Sequence, residues 1–562
     1  MPFRLVVFLV SSYMVCVLLT RSQTKLVTLP NLAISILLVT SGLIIGSTAA
    51  GITDYPFSLT WSEGNRMWDY SVLFGRAIYD YPSDRPIFAY LDLGRQSLWG
   101  LPFLLPNVSI MAVRAWNAFL LTIPYAIFGW IVFMKGAKLG KLWMLAGLWS
   151  LAFMSQGPIY TPLVLGAIFV AIAWFTPHWM ALILIAMAGY YLNIGRYTWI
   201  FAPAMWASMI YFGVIKISVS KFDPKRVMPA VGAVLAGLFG GYVLPRWQVI
   251  FQAATSILRP SDISGQAAAP GMDIVSVEGV SSMISRQPLL WGRLLPNPTY
   301  ELGILLGLLV ATLPCIIYLF YLLWIRRWQL DWLPGLIILM NLLLFLGVGI
   351  IISVKIGGGS NLHNLDMFLI GLVFASALAW ASGGYQELTQ LNLHPKWIQS
   401  LMVVMFIFFA YPSLRWIRPI NLPPADYVDR ALNIIRKEVA NANEQGEILF
   451  LDQRQLLTFG YVQRIPLVPE YEKKLLMDNA MAGDAQYFEQ FYQDLEIKRF
   501  ALIVSEPLFI RYHGSDYQFG AENDAWVSWV SKKILCYYKP LSTFQEVRVQ
   551  LLLPREGSLD CK

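Results

Sequence analysis

Residues 62–80, SEGNRMWDYSVLFGRAIYD, are polar, charged and aromatic, and they lie between two apolar runs, 31–50 and 113–134. Each run is long enough to cross a hydrocarbon core of about 30 Å. Further runs of this kind continue to about residue 413 and then stop. Twelve candidate spans result, at 5–20, 31–50, 113–134, 142–155, 160–175, 179–192, 198–215, 227–245, 301–324, 333–353, 367–382 and 397–413. With 57% hydrophobic and 14% charged residues and a mean hydropathy of +0.55, the chain is too apolar for a soluble globular protein of 562 residues. The expected fold is a polytopic α-helical membrane protein of about twelve transmembrane helices over 1–415, with loops 51–112 and 246–300 on one side. A small α/β soluble domain over 420–562 follows.

The net charge of +8 is spread through short connections rather than one basic stripe, which argues against nucleic acid as a partner. Arg21 and Lys25, Lys135, Lys138 and Lys141, Lys216, Lys221, Lys225 and Arg226, Arg326 and Arg327, and Lys396 all fall in alternate connections. The positive-inside rule makes these cytoplasmic and puts 51–112, 246–300, the turn 355–366 and the C-terminal domain on the outer face. The first run, 5–20, is short and resembles a signal-peptide core, but no small-x-small cleavage site follows it. Cys16 and Cys315 sit in apolar runs as small hydrophobes. Cys536 and Cys561 lie in the exported domain, where a disulfide is permitted and two free thiols are the alternative.

Beyond residue 420, helical periodicity at 424–442, 484–497 and 522–534 alternates with short apolar runs at 448–451, 501–504 and 547–552. Helices alternating with buried strands indicate an α/β layer. This region has no phosphate loop, nucleophile elbow or His/Cys cluster, so no chemistry is assigned to it.

Segment 62–80 reads as a helix capped by Ser62, with a stripe of Met67, Tyr70, Phe74 and Ile78. Glu63 extends that stripe. It either points into a cavity between helix and bundle or favours the helix N-terminus and pairs with Arg66. Trp61, Trp68 and Tyr70 are suited to stacking on sugars, and Arg66 and Asp69 to meeting a polar substrate. Asp92 and Arg95 either contact substrate or pair with each other. In the turn 355–366, Lys355, three glycines, His363 and Asp366 gather at a membrane edge, where backbone N–H groups and a lysine suit a phosphate. Arg196 and Arg293 are further phosphate candidates, with snorkelling to headgroups as the alternative. Four histidines without H-x-x-H or C-x-x-C spacing give no zinc centre and no certain cofactor, and a carboxylate-bound divalent cation stays open.

A polar first outer loop with an acidic residue just after an early span, followed by an amphipathic helix, resembles the GT-C superfamily of polyprenyl-phosphate-sugar-dependent glycosyltransferases. It is similar to bacterial relatives of the dolichyl-phosphate-mannose protein mannosyltransferases and to the aminoarabinose transferase. LGRQSLWGLPFL at 93–104, WGRLLPNPTYELG at 291–303 and KIGGGSNLHNLD at 355–366 fit such sequences. Where those families carry an acidic pair, this chain has Ser62-Glu63 with Asp54 nearby, and it has an additional N-terminal span. The resemblance implies an inverting transferase of a bacterial cytoplasmic membrane that moves a sugar from a polyprenyl-phosphate donor to a glycan, lipid or protein acceptor. Glu63 or Asp54 would be the base, and Lys355, Arg293 or Arg196 would stabilise the leaving phosphate.

Two other classes compete. A polymerase or ligase of lipid-linked glycans would depend on Arg259, Arg286 or Arg293 and not on Glu63. A transporter or assembly protein would carry charges or broken helices near the bilayer midplane, where the sequence has almost none. The charge pattern makes one prediction: cysteines introduced at Ser264 or Ser558 react with an impermeant thiol reagent in intact cells, and protection of both overturns the topology.

Overall fold

The computed structural model describes residues 2–20, 25–87, 89–136, 138–157, 160–214, 224–248, 286–355, 362–416, 420–557 and 561. Most of the loop 246–300, including Arg259, and the glycines of the turn 355–366 lie outside them. Each of the twelve apolar runs becomes a helix, but among the described residues eight are long and apolar enough to cross a membrane. These are Pro2–Leu19, Leu29–Ala49, Ile110–Val132, Val227–Arg246, Gly303–Trp324, Trp332–Ser353, Leu362–Thr389 and Lys396–Arg415. The other four, Lys141–Met154, Thr161–Ala173, His178–Asn193 and Ala202–Gly213, have 14, 13, 16 and 12 residues. A helix rises about 1.5 Å per residue, so a helix of this size covers only part of a 30 Å core. Apolar composition alone does not distinguish these two sizes.

The most apolar 18-residue stretch of span Leu362–Thr389 has 83% of its residues buried, which puts this span at the centre of the bundle. Its sequence is apolar on all sides, as a helix surrounded by other helices requires. Phe374 meets Phe128 and Trp206, and Phe409 meets Phe153, in ring contacts of 5.3–5.7 Å. Since lipid tails are as apolar as these side chains, close packing rather than hydrophobic exclusion holds such helices together. A cavity of about 300 Å³ lies between the starts of the second and fourth apolar helices, near Pro30 and Leu142, and Leu388. It is at the end of the bundle away from segment 51–112, because helix Leu29–Ala49 enters there and leaves toward that segment.

The C-terminal region is a small mixed sheet with helices. β1 (Glu447–Phe450) runs parallel to β2 (Phe500–Ser505), while β4 (Val549–Pro554) is antiparallel both to β2 and to β3 (Tyr538–Phe544), giving the order β1-β2-β4-β3. Sequence periodicity anticipates β1, β2, β4 and the helices Ala425–Asn443 and Ala485–Glu496. It misses β3 and helix Lys473–Ala482, whose mixed polar and apolar residues lack a clean period. Cys536 and Cys561 form a disulfide with their Cα atoms 6.0 Å apart.

This region shares a core with the first polar segment. Tyr55 and Phe57 pack with Val428, Leu432, Ile435 and Val504, and Trp68 and Tyr79 pack with Leu467. Asn65, on helix Glu63–Phe74, donates to the carbonyl of Leu451 at 3.0 Å and to Glu472 Oε1 at 2.6 Å. Arg454 is fully buried, donates to the carbonyls of Phe450, Val468 and Pro469, and lies 4.3 Å from the Trp68 ring centroid. Gly64 sits close at this seam: a Cβ there would lie 1.6 Å from the side-chain oxygen of Gln455, so a larger residue would have to displace that side chain.

Two outcomes are expected. Arg454→Met leaves the buried Glu472 without its cation and lowers stability by about 3–5 kcal/mol, read by thermal unfolding in detergent. A non-reduced digest yields the Cys536–Cys561 peptide, and two free thiols would contradict it.

Candidate functional site

The helix at the head of the polar segment begins differently from its sequence reading. Ser62 adopts a left-handed conformation, φ 61°, which turns its hydroxyl away from the first-turn N–H groups, and it makes no side-chain cap. Ser58 Oγ takes the Gly64 N–H at 3.0 Å instead. Glu63 does not pair with Arg66. Its carboxylate accepts from the Leu59 N–H at 2.6 Å and from both Nε and Nη2 of Arg114 at 3.1 Å. Arg114 is 3% exposed and also donates to the carbonyls of Thr53, Tyr55 and Phe57. The pair is a bidentate clamp that fixes strand-like residues 53–59 against the start of span Ile110–Val132. Asp54 lies at the exposed edge of the clamp, where its carbonyl accepts from Tyr461 Oη at 3.3 Å.

A different set of residues converges around Tyr160, immediately before helix Thr161–Ala173. The guanidinium carbons of Arg95 and Arg196 stand 4.9 Å and 5.8 Å from its ring centroid. His363 meets the ring edge-on at 5.7 Å and Trp199 lies at 5.9 Å. Arg196 donates to Asn364 Oδ1 at 3.2 Å, and Trp199 Nε1 donates to Asp366 Oδ2 at 3.1 Å. Arg95 pairs with Asp92, whose other oxygen caps helix Leu93–Trp99 by accepting the Arg95 N–H at 2.8 Å. Asp92 and Arg95 therefore do bond each other, while the guanidinium still faces Tyr160.

Two glycines bring the arginines together. Gly94 N–H donates to the Ile194 carbonyl at 2.9 Å, and a Cβ on Gly94 would lie 2.6 Å from the Gly195 Cα. The backbones touch there, so the next residues, Arg95 and Arg196, must be neighbours. The repeated Gly-Arg of L-G-R-Q and I-G-R-Y is the sequence signal of this junction, legible only once the two turns are known to meet.

The C-terminal region contributes to the same place. Lys474 and Asp478, four residues apart on one face of helix Lys473–Ala482, reach Tyr90: the Lys474 Nζ lies 4.3 Å from its ring centroid and Tyr90 Oη donates to Asp478 Oδ2. Arg66, Arg95, Arg196, Lys474 and Asp478 all keep some accessible surface. Burial pushes the Tyr160 phenol up, yet the charges of Arg95, Arg196, Lys474 and Arg66 outweigh it and bring the group below its ordinary range. The Lys474 ammonium is pushed down by burial and by Arg66. Burial holds the Asp478 carboxyl up, with Glu472 adding to it, against the pull of Lys474 and the Tyr90 hydrogen bond. The surroundings of Tyr160 thus have a net positive field, which suits an anionic ligand.

Other expected site residues fall elsewhere. Tyr70 stacks on Trp99 at 5.7 Å. Asp69, expected to meet substrate, is sealed from solvent: one oxygen accepts the Tyr90 N–H at 3.1 Å and the other has no hydrogen-bond partner. Arg293 pairs with Glu522 and donates to the Lys355 backbone carbonyl at 3.2 Å, so this expected phosphate ligand belongs to a junction between two span ends and the C-terminal region. Among the described residues, no three His, Cys, Asp or Glu side chains converge as a metal-ligand set.

No protein-family model and no curated protein matches the chain. Among solved structures, an Archaeoglobus fulgidus oligosaccharyltransferase, determined in complex with zinc and sulfate, aligns over 90% of this chain and 71% of its own at 14% identity and a TM-score of 0.41.

Burial, and then the nearby Glu472, hold the Asp69 carboxyl well above the usual range. The folded state therefore binds this proton more tightly than the unfolded state, and stability attributable to Asp69 grows as pH falls through its raised pKa. Asp69→Asn supplies a neutral group at all pH values. It is expected to stabilise the protein by about 1 kcal/mol near neutral pH and to have little effect in acid, as read from unfolding temperatures across pH.

Proposed function

We propose that the chain is a GT-C-type membrane glycosyltransferase that takes a sugar from a polyprenyl-phosphate donor at the outer membrane face. The observation that carries this reading is the pair Arg95 and Arg196 over the Tyr160 ring, with the charges of Lys474 and Arg66 adding to its field. A phosphate monoanion or dianion at the head of a hydrocarbon chain needs cations where bundle and polar region meet. His363 and Asn364, at the start of span Leu362–Thr389, meet this cluster at a span end. Arg95 and Arg196 offer planar forks that bind two phosphate oxygens each, and the Lys474 ammonium adds a point charge.

In this reading the acceptor hydroxyl attacks the anomeric carbon, the bond from that carbon to the phosphate oxygen breaks, and the phosphate departs with the electron pair. The cations that bind the donor also stabilise the charge that grows on its phosphate. Since phosphate is a good leaving group, no separate acid is invoked. The remaining proton must go to a carboxylate, for which the sequence offers Glu63 or Asp54. Both Glu63 oxygens are committed to Arg114 and Leu59, and Asp54 sits at the exposed edge of that clamp. We assign the base to Asp478, which keeps accessible surface beside the cations and whose carboxyl burial holds above its ordinary range, strengthening it as a proton acceptor. Glu63 then acts through the clamp.

The ligase reading is less favoured by the geometry, because Arg286 and Arg293 are paired with Asp484 and Glu522.

Binding of a polyprenyl phosphate to the purified protein tests the cationic cluster. Arg196→Ala and Lys474→Ala should each weaken it roughly tenfold or more, the value of a lost charge-assisted hydrogen bond. Unchanged affinity in both overturns the reading. With polyprenyl-phosphate sugars as donors, Asp478→Asn should keep donor binding and lose about 10²–10⁴-fold in turnover, with the acidic limb of the wild-type pH profile lying above the usual carboxylate range. Glu63→Gln should lower the unfolding temperature more than the turnover, and the opposite outcome restores Glu63 as the base.

A further inference from the structure

Residues 507–519, PLFIRYHGSDYQF, form a loop between β2 and the helix Gly520–Trp526 that carries five large apolar or aromatic side chains to the surface: Phe509, Ile510, Tyr512, Tyr517 and Phe519. Ile510, at 60% exposed, is the most open of them. The loop is held in shape. Asp524 accepts the N–H groups of His513 and Gly514 at 2.8 Å and 3.0 Å, and the His513 ring stacks between Phe509 and Tyr517 with centroids 6.2 Å and 5.0 Å away. Lys532 donates to Tyr512 Oη at 3.0 Å. Hydrogen bonds and stacking thus present these side chains outward instead of letting them collapse onto the sheet.

The loop also has a fixed level relative to the bundle. Phe519 N–H donates to Thr299 Oγ1 at 3.0 Å, four residues before span Gly303–Trp324 begins. One turn on, Glu522 pairs with Arg293, which in turn donates to the carbonyl of Lys355, two residues beyond the end of span Trp332–Ser353. Two span ends therefore pin the root of the loop. Leu289, Trp291 and Leu295, on the segment leading into Thr299, are exposed as well.

We propose that the loop 507–519 is a bilayer-docking surface, with Phe509, Ile510, Tyr512 and Tyr517 inserted at headgroup level beside Trp291. Amphipathic aromatics at the ends of spans are the side chains that settle in this zone, with ring in the acyl boundary and polar tip in water. Arg511 adds a cation for lipid phosphates. Lipid is the favoured occupant because the root of the loop is bonded to residues that lead into one span and follow another, which holds the loop close to the level of the membrane surface. An exposed apolar cluster of this kind otherwise marks a protein partner.

The test places an environment-sensitive fluorophore on Ile510→Cys, and separately on Tyr517→Cys, with the exposed helix position Glu489→Cys as control. The unsubstituted chain, whose free Cys16 and Cys315 are buried, is the blank. The protein is reconstituted in vesicles of phosphatidylcholine and phosphatidylglycerol, with or without phosphatidylcholine spin-labelled near the top of its acyl chain. Both loop labels should lose most of their emission to the spin-labelled lipid and resist aqueous iodide, while the control does the reverse. Loop labels quenched by iodide and not by lipid would overturn the proposal, and labels shielded from both quenchers would overturn it in favour of a protein partner. Donor binding plays no part in this readout, so its outcome is independent of the transferase reading.

Discussion

Everything at the polar end of the molecule depends on a guanidinium with no access to water. Arg454 is enclosed by Trp68, by Glu472 and Asp69, and by the carbonyls that end β1 and precede helix Lys473–Ala482. Burying such a charge costs several kcal/mol, and the cost is met only if each donor finds an acceptor and a counter-charge stands nearby. The residues that satisfy it come from the first polar segment and from the C-terminal region, about 390 positions apart. Loss of either side leaves the other with an uncompensated buried charge, so the two segments behave as one unit.

Because that unit is fixed, side chains with no sequence relationship can meet in one cluster. Helix Glu63–Phe74 supplies Arg66, helix Leu93–Trp99 supplies Arg95, a turn between two short apolar helices supplies Arg196, and helix Lys473–Ala482 supplies Lys474 and Asp478. Crowding four cations is unfavourable in the absence of an anion. The clamp of Glu63 on Arg114, the contact of Gly94 with Gly195 and the Arg454 seam are the structural elements that oppose that repulsion. Preorganised charge of this kind serves both binding and departure of a phosphate, because little reorganisation is left to be done when it arrives.

The sequence makes some of this legible. Apolar length and charge distribution reveal the membrane bundle, since both follow directly from hydrocarbon thickness. Arg196, His363 and Asp366 are visible as ionisable groups at span edges, where their cost implies a purpose. Glu63 shows how far such reading goes: its position at a helix start was clear, but its partner, Arg114, lies 51 residues away and is hidden among the apolar residues of a span. Lys474 and Asp478 are ordinary members of a short helix with little periodicity, and only tertiary folding brings them to Tyr160. Span count is limited for a related reason, because four apolar helices are too short to cross alone and composition does not report length after capping.

The long separation across the seam also bears on how the protein is made. Asn65 emerges from the ribosome well before Leu451 and Glu472, its partners 386 and 407 positions later. At roughly 5–20 residues per second, the first polar segment waits on the order of 20–80 s before its core can close. Throughout that interval Trp68, Tyr55 and Phe57 lack the C-terminal part of their packing partners. The early chain is therefore a natural client for chaperones, and a ribosome that stalls before residue 451 leaves a membrane-inserted product whose exposed aromatic surface marks it for disposal.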